Sequence, residues 1–201
     1  MHIPLEGDDI MWRRITRQVN AISFASVLVV AMTVAGCATS ESHNWRNKLA
    51  AELPELGHRN WIVIADSAYP AQSRPGIETI ATGASHIEVV KTAVDAINNS
   101  GHVRANVYLD AEMKYVSEED APGIDAYRKK LGALLGKDNE VTVLAHEELI
   151  AKLDEAAKTF RVLILKSKLT LPYTSVFLEL DCGYWSPEAE HRLRQAIERT
   201  K

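Results

Sequence analysis

The sequence predicts an α/β three-layer sandwich: a central mixed, mostly parallel sheet with helices on both faces. Three observations point there. Trp61–Ala65 and Val162–Leu165 are short, continuous apolar runs, the mark of strands buried on both faces. Segments with helical spacing lie between such runs, as in Ile87, Val90, Val94 and Ile97. The connection from Leu165 to Val176 is too short for a helical crossover, so at least one strand must run against the others.

In chain order, Arg13, Arg14 and Arg17 form a positive region ahead of an apolar run from Ala21 to Val34, too short for a comfortable membrane span. The run ends in Val34-Ala35-Gly36-Cys37, which looks like a bacterial lipobox. Small residues there let a signal peptidase grip extended backbone, and the cysteine sulfur carries the lipid. Residues 1–36 are therefore expected to be a lipoprotein signal peptide, with Cys37 the lipidation site and 37–44 a small, polar tether. Residues 45–201 are expected to form a single domain held by its lipid at the cell envelope, on the periplasmic side of a membrane. The alternative is a plain membrane anchor or a buried N-terminal helix.

A helix is expected from Trp45 to Leu53, stopped near Pro54. The first strand is Trp61–Ala65 and a second candidate is Ile77–Ala81. The helix carrying Ile87, Val90, Val94 and Ile97 ends at Asn99-Ser100-Gly101. Val103 to Leu109 reads as a strand and Pro122 to Leu135 as a helix closed by Gly136. Val141 to Ala145 is a strand, Glu147 to Phe160 a helix, and Val162–Leu165 a buried strand. Val176 to Leu180 is the last strand, and Pro187 opens a charged terminal helix.

A net charge of −4 offers no basic surface, which argues against a nucleic-acid partner. Two cysteines, Cys37 and Cys182, form no zinc spacing. Removing residues 1–36 takes away Arg13, Arg14, Arg17, Glu6, Asp8 and Asp9, so the charge does not change. With Cys37 lipidated, Cys182 stands alone beside Phe177, Leu178 and Leu180 and is expected to be buried and inert.

Open α/β sheets build sites from polar residues at strand ends. His58 precedes the first strand and Asp66 follows it; His146 follows another strand; Pro172-Tyr173-Thr174-Ser175 opens the last. Each has a plainer role open to it. His58 could sit in a turn, Asp66 could cap one, His146 could lead into a helix, and Tyr173 could be core. A zinc hydrolase using His58, Asp66 and His146 would suit the side chains, but no HExxH-type pair is present.

Leu56-Gly57-His58 followed by a strand and Ile64-Ala65-Asp66, then His146-Glu147, then Pro172-Tyr173, resembles the motif order of the ribose pyranase/fucose mutarotase family of sugar-ring isomerases. The likeness runs from about Leu53 to Cys182. It implies exchange of ring forms or anomers of a monosaccharide, with no cofactor and no metal, in a ring-shaped homo-oligomer with sites at subunit contacts. On that basis His58 is the acid/base held by Asp66, and His146, Tyr173 and Ser175 bind the sugar. A histidine suits both proton transfers of ring opening because its pKa lies near working pH. Two features depart from the family. Ser175 stands where its motif has Asn, and the chain continues through Gly183-Tyr184-Trp185 into a further helix. Ser175 and the envelope address also allow a sugar-binding lipoprotein without catalysis.

Overall fold

The computed structural model describes residues 44–136 and 140–200. The expected signal peptide (1–36), the lipidation site Cys37 and the tether up to residue 43 lie outside the described residues. Helix α1 covers residues 44–52 and tightens into a single 3-10 turn at Leu53–Glu55, where Pro54 removes a helical donor. Trp45, Leu49, Leu53 and Leu56 recur at helical spacing and are all buried.

The sheet has six strands: β1 Trp61–Ala65, β2 Ile77–Ala81, β3 Val103–Asp110, β4 Val141–Leu144, β5 Val162–Lys166 and β6 Val176–Cys182. Their order is β2-β5-β1-β6-β3-β4. All pairs are parallel except those of β6, which runs antiparallel to both β1 and β3. The short link from β5 to β6 explains this. The two strands flank β1, and the link crosses over the C-terminal end of β1. It is pinned there by Ser167 N–H to the Ala65 carbonyl (2.9 Å) and Ser67 N–H to the Leu169 carbonyl (2.8 Å).

Among the described residues four α-helices follow α1: α2 His86–Ser100, α3 Ile124–Leu135, α4 His146–Ala156 and α5 Pro187–Glu198. Alternate residues of the strands divide the core between the two faces. Ile62, Ile64, Leu163, Leu165, Leu178 and Leu180 pack beneath α1, α2 and α3. Trp61, Val63, Val162, Ile164 and Phe177 pack beneath Leu149 and Leu153 of α4. The fold is therefore the expected three-layer α/β sandwich with a mixed, mostly parallel sheet.

The differences from expectation are local. Helix α3 starts at Ile124 because Gly123 takes a left-handed φ of 99°. Helix α4 stops at Ala156, and residues 157–160 turn the chain into β5. Strand β6 runs two residues beyond Leu180, since β3 offers it partners as far as Val103. Cys182, expected in the core, is only half-buried at the end of that extension.

Candidate active site at the C-terminal end of the sheet

In a parallel sheet the residues just past each strand meet at one edge. Asp66 leaves β1, Asp110 closes β3 and His146 follows β4. The antiparallel β6 begins at this same edge, which brings Tyr173, Thr174 and Ser175 to it. Four of the five residues expected in the site therefore gather here: Asp66, His146, Tyr173 and Ser175.

Two residues that sequence reasoning passed over stand among them. Asp110 is buried, and its Oδ1 lies 3.0 Å from His146 Nδ1. Its Oδ2 has no hydrogen-bond partner among the described residues. Burial pushes the Asp110 carboxyl above the usual carboxylate range; His146 opposes the shift, while Glu112 and Asp66 add to it. Glu112 accepts the His146 backbone N–H on both oxygens (3.1 and 3.0 Å), a carboxylate placed where the N-terminus of α4 favours negative charge. The strand-end rule that picks out Asp66 and His146 would also have found Asp110.

His146 therefore has one ring nitrogen engaged by Asp110. The Tyr173 ring stands edge-on to it, with 5.5 Å between centroids and planes at 84°. Tyr173 is 41% exposed, not a core residue, and takes a left-handed φ of 54°, which is unfavourable for any side chain with a Cβ. Ser175 is buried beside it. Asp66 Oδ1 accepts the N–H of Ala68 (2.7 Å), so this carboxylate does cap its turn. Nearby Tyr69 senses the acidic cluster: burial first, then Asp154, Asp110 and Asp66, push its phenol up to about 12.

The strained segment is braced from beneath by buried polar groups. Tyr127 Oη donates to the Thr174 carbonyl (2.9 Å) and lies 3.1 Å from His86 Nδ1. Burial pushes the His86 imidazole down to about 4, with the Ile64 carbonyl opposing. The ring is therefore neutral near pH 7, and it can donate from Nδ1 to the tyrosine oxygen. Tyr127→Phe should cost roughly 1–3 kcal/mol, the usual penalty for stranding a buried polar group. Urea unfolding checks this, and an unchanged midpoint would show the brace to be idle.

His58 is elsewhere. It sits in the turn ahead of β1, while Asp66 follows the strand, and five strand residues at about 3.3 Å each separate the two by roughly 16 Å or more. The expected His58–Asp66 pair therefore does not exist within the chain. The partner of His58 is Asp181, whose Oδ1 lies 2.7 Å from His58 Nδ1. Asp181 Oδ2 accepts from Arg104 Nη2 (2.5 Å) and Nε (3.1 Å). Burial works against ionisation of Asp181, but Arg104, the Cys182 N–H and His58 together hold its carboxyl below the usual range. No sequence signal links His58 to Asp181. The same separation dismantles a zinc set of His58, Asp66 and His146, and no three His, Cys, Asp or Glu side chains converge on a metal position among the described residues.

No curated protein sequence matches the chain. Among solved structures, it is similar to RbsD of Bacillus subtilis complexed with D-ribose, at 23% identity and a TM-score of 0.48, covering 67% of this chain and 91% of that one. It is also similar to the fucose mutarotase of Streptococcus pneumoniae in complex with L-fucose, at 20% identity and a TM-score of 0.44, covering 65% and 89%. A sequence model of the RbsD / FucU transport protein family matches residues 42–180, which takes in the cluster from Asp66 to Ser175 at one end of the sheet and His58 at the other, and stops one residue short of Asp181. With well over half its length so matched, the chain belongs to the RbsD / FucU transport protein family.

Proposed function

We propose that the protein is a sugar-ring isomerase that interconverts pyranose and furanose forms, or anomers, of a monosaccharide by acid/base-assisted ring opening. One observation carries this reading. A histidine oriented by a carboxylate (His58–Asp181) and a polar cluster with a half-exposed aromatic (Asp66, Asp110, His146, Tyr173) occupy opposite ends of β1. A ring-shaped homo-oligomer, as the family resemblance implies, would bring His58 of one copy to the Asp66 end of the next.

Ring opening breaks the bond between the anomeric carbon and the ring oxygen. The anomeric hydroxyl loses its proton to a base and becomes the carbonyl oxygen, while the ring oxygen gains a proton from an acid. Reclosure at the same or another hydroxyl reverses both transfers. His58, with Nδ1 facing Asp181, keeps Nε2 for proton transfer, and the carboxylate stabilises the imidazolium that forms. His146, held by Asp110 through Nδ1, presents Nε2 to a sugar hydroxyl. Tyr173 offers an aromatic face and a phenolic hydroxyl, and Asp66 accepts from hydroxyls.

Saturation-transfer NMR on ribose and fucose with the full-chain protein tests the proposal: exchange between ring forms should quicken. Ser175, a shorter group than the family's Asn, favours a second reading in which the protein binds sugar without catalysis. Saturable binding with unchanged exchange would be its signature. We further propose that Cys37 carries lipid and anchors the protein at the cell envelope, on the strength of the Val34–Cys37 motif. Cys37→Ser should abolish incorporation of a labelled fatty acid in a bacterial host; retained label would refute the anchor.

A further inference from the structure

The chain beyond the family-matched residues builds something of its own around His58. Gly183 donates its N–H to the His102 carbonyl (2.9 Å), and a Cβ there would come within 2.9 Å of the Val103 backbone. Only glycine permits this close turn, which directs the following residues across the end of β3. Ser186 then caps α5 by accepting the Ala189 N–H (3.1 Å), with Pro187 in the first turn.

The result is a cavity of about 630 Å³ lined by His58, Arg104 and Asp181 on the sheet side and by Tyr184, Trp185 and Arg194 on the other. That volume is typical of small-molecule sites, which run to roughly 300–1,000 Å³. Trp185 is 42% exposed, yet its indole is held in place. Its Nε1–H donates to Glu190 Oε2 (2.9 Å), and Glu190 Oε1 accepts from Arg194 Nε (2.6 Å). An aromatic ring fixed by a polar handle is poised to stack on an apolar face.

The charges narrow the ligand class. Asp181 is matched by Arg104 and Glu190 by Arg194, so neither carboxylate is left to recruit a cation, and Arg59, whose guanidinium lies 5.7 Å from the Phe160 ring centroid, adds a positive charge to the lining. Fixed donors and acceptors beside an aromatic face suit a polyhydroxylated ring that carries no positive charge, with hydroxyls at its edge and C–H groups on its face.

We infer that this cavity is a saccharide subsite, with Trp185 as stacking platform and Arg104 and Asp181 as hydroxyl-binding pair, and that the ring isomerised is the reducing end of a saccharide of two or more units. The first part stands on the cavity alone. The second rests on the isomerase reading, because His58 lines the cavity and would serve the reacting ring next to it.

The test uses the full-chain protein with maltose and cellobiose against glucose, following ring exchange by saturation-transfer NMR and binding by tryptophan fluorescence. The disaccharides should half-saturate at roughly tenfold lower concentration than glucose, the size of one aromatic contact. Trp185→Ala should erase that advantage, Trp185→Phe should keep most of it, and glucose exchange should be the same in all three proteins. Equal half-saturation for one- and two-unit sugars overturns the subsite and leaves the isomerase reading standing. So does a Trp185→Ala variant that loses glucose and disaccharide alike. Disaccharide binding that depends on Trp185, with no exchange for any sugar, upholds the subsite but sinks the isomerase reading and the substrate assignment with it.

Discussion

His58→Ala is expected to slow protein-dependent ring exchange by roughly 10²–10⁴-fold, the ordinary worth of a placed acid/base group, with little change in stability. The side chain is mostly solvent-exposed, so its removal leaves no buried hole. Asp66→Asn should also abolish the exchange, from the other end of the sheet. The informative experiment mixes the two inactive proteins. If each site takes His58 from one copy and Asp66 from the next, random reassembly after unfolding and refolding restores about a quarter of the sites. Recovery of that order would place the two residues on different subunits. No recovery from a mixture that demonstrably exchanges subunits would mean that His58 and Asp66 do not share a site. Full activity in His58→Ala alone would remove it from the reaction.

The second large effect is on stability in acid, and it comes from His86. Its imidazole ionises near 6.5 when the chain is unfolded and near 4 when folded, because burial disfavours the cation. Above pH 6.5 both states are neutral and the group contributes nothing to the pH dependence. As pH falls from 6.5 towards 4 the unfolded chain takes up a proton that the folded one refuses, so stability is lost. The loss reaches about 3 kcal/mol at pH 4. Asp110 acts in the opposite sense: its raised pKa lets the folded state hold a proton that the unfolded chain gives up, which favours folding as pH falls. His86→Gln removes the first contribution and keeps the second. Thermal melts from pH 7 to pH 4 should show a shallower fall in Tm for this variant than for the wild type. Parallel curves would mean that His86 is protonated in the folded state, and that its link to Tyr127 is not the neutral one described.

Most of the architecture is legible in the sequence alone. A strand buried on both faces must be apolar at every position, and Trp61–Ala65 and Val162–Leu165 are. A helix covering one face must repeat its apolar residues with its own pitch, and α2 does so through Val90, Val94 and Ile97. The antiparallel course of β6 also followed from the chain, because the link from Leu165 to Val176 could not span a crossover. These are local constraints, written in neighbouring residues. The strand-end positions of Asp66, His146 and Tyr173 belong with them.

What only the tertiary structure decided was which side chains meet. His58 and Asp66, eight positions apart, resembled a pair, but an extended strand carries its two ends away from each other. The true partner of His58 is Asp181, 123 positions away, brought alongside because β6 pairs with β1 in antiparallel register. The Asp110–His146 contact arises likewise from β3 lying beside β4, and the Trp185 cavity from a glycine that lets the chain turn back over β3. Periodicity reports which way each residue faces within its own element; the neighbours it meets depend on sheet order and register, set by the core as a whole.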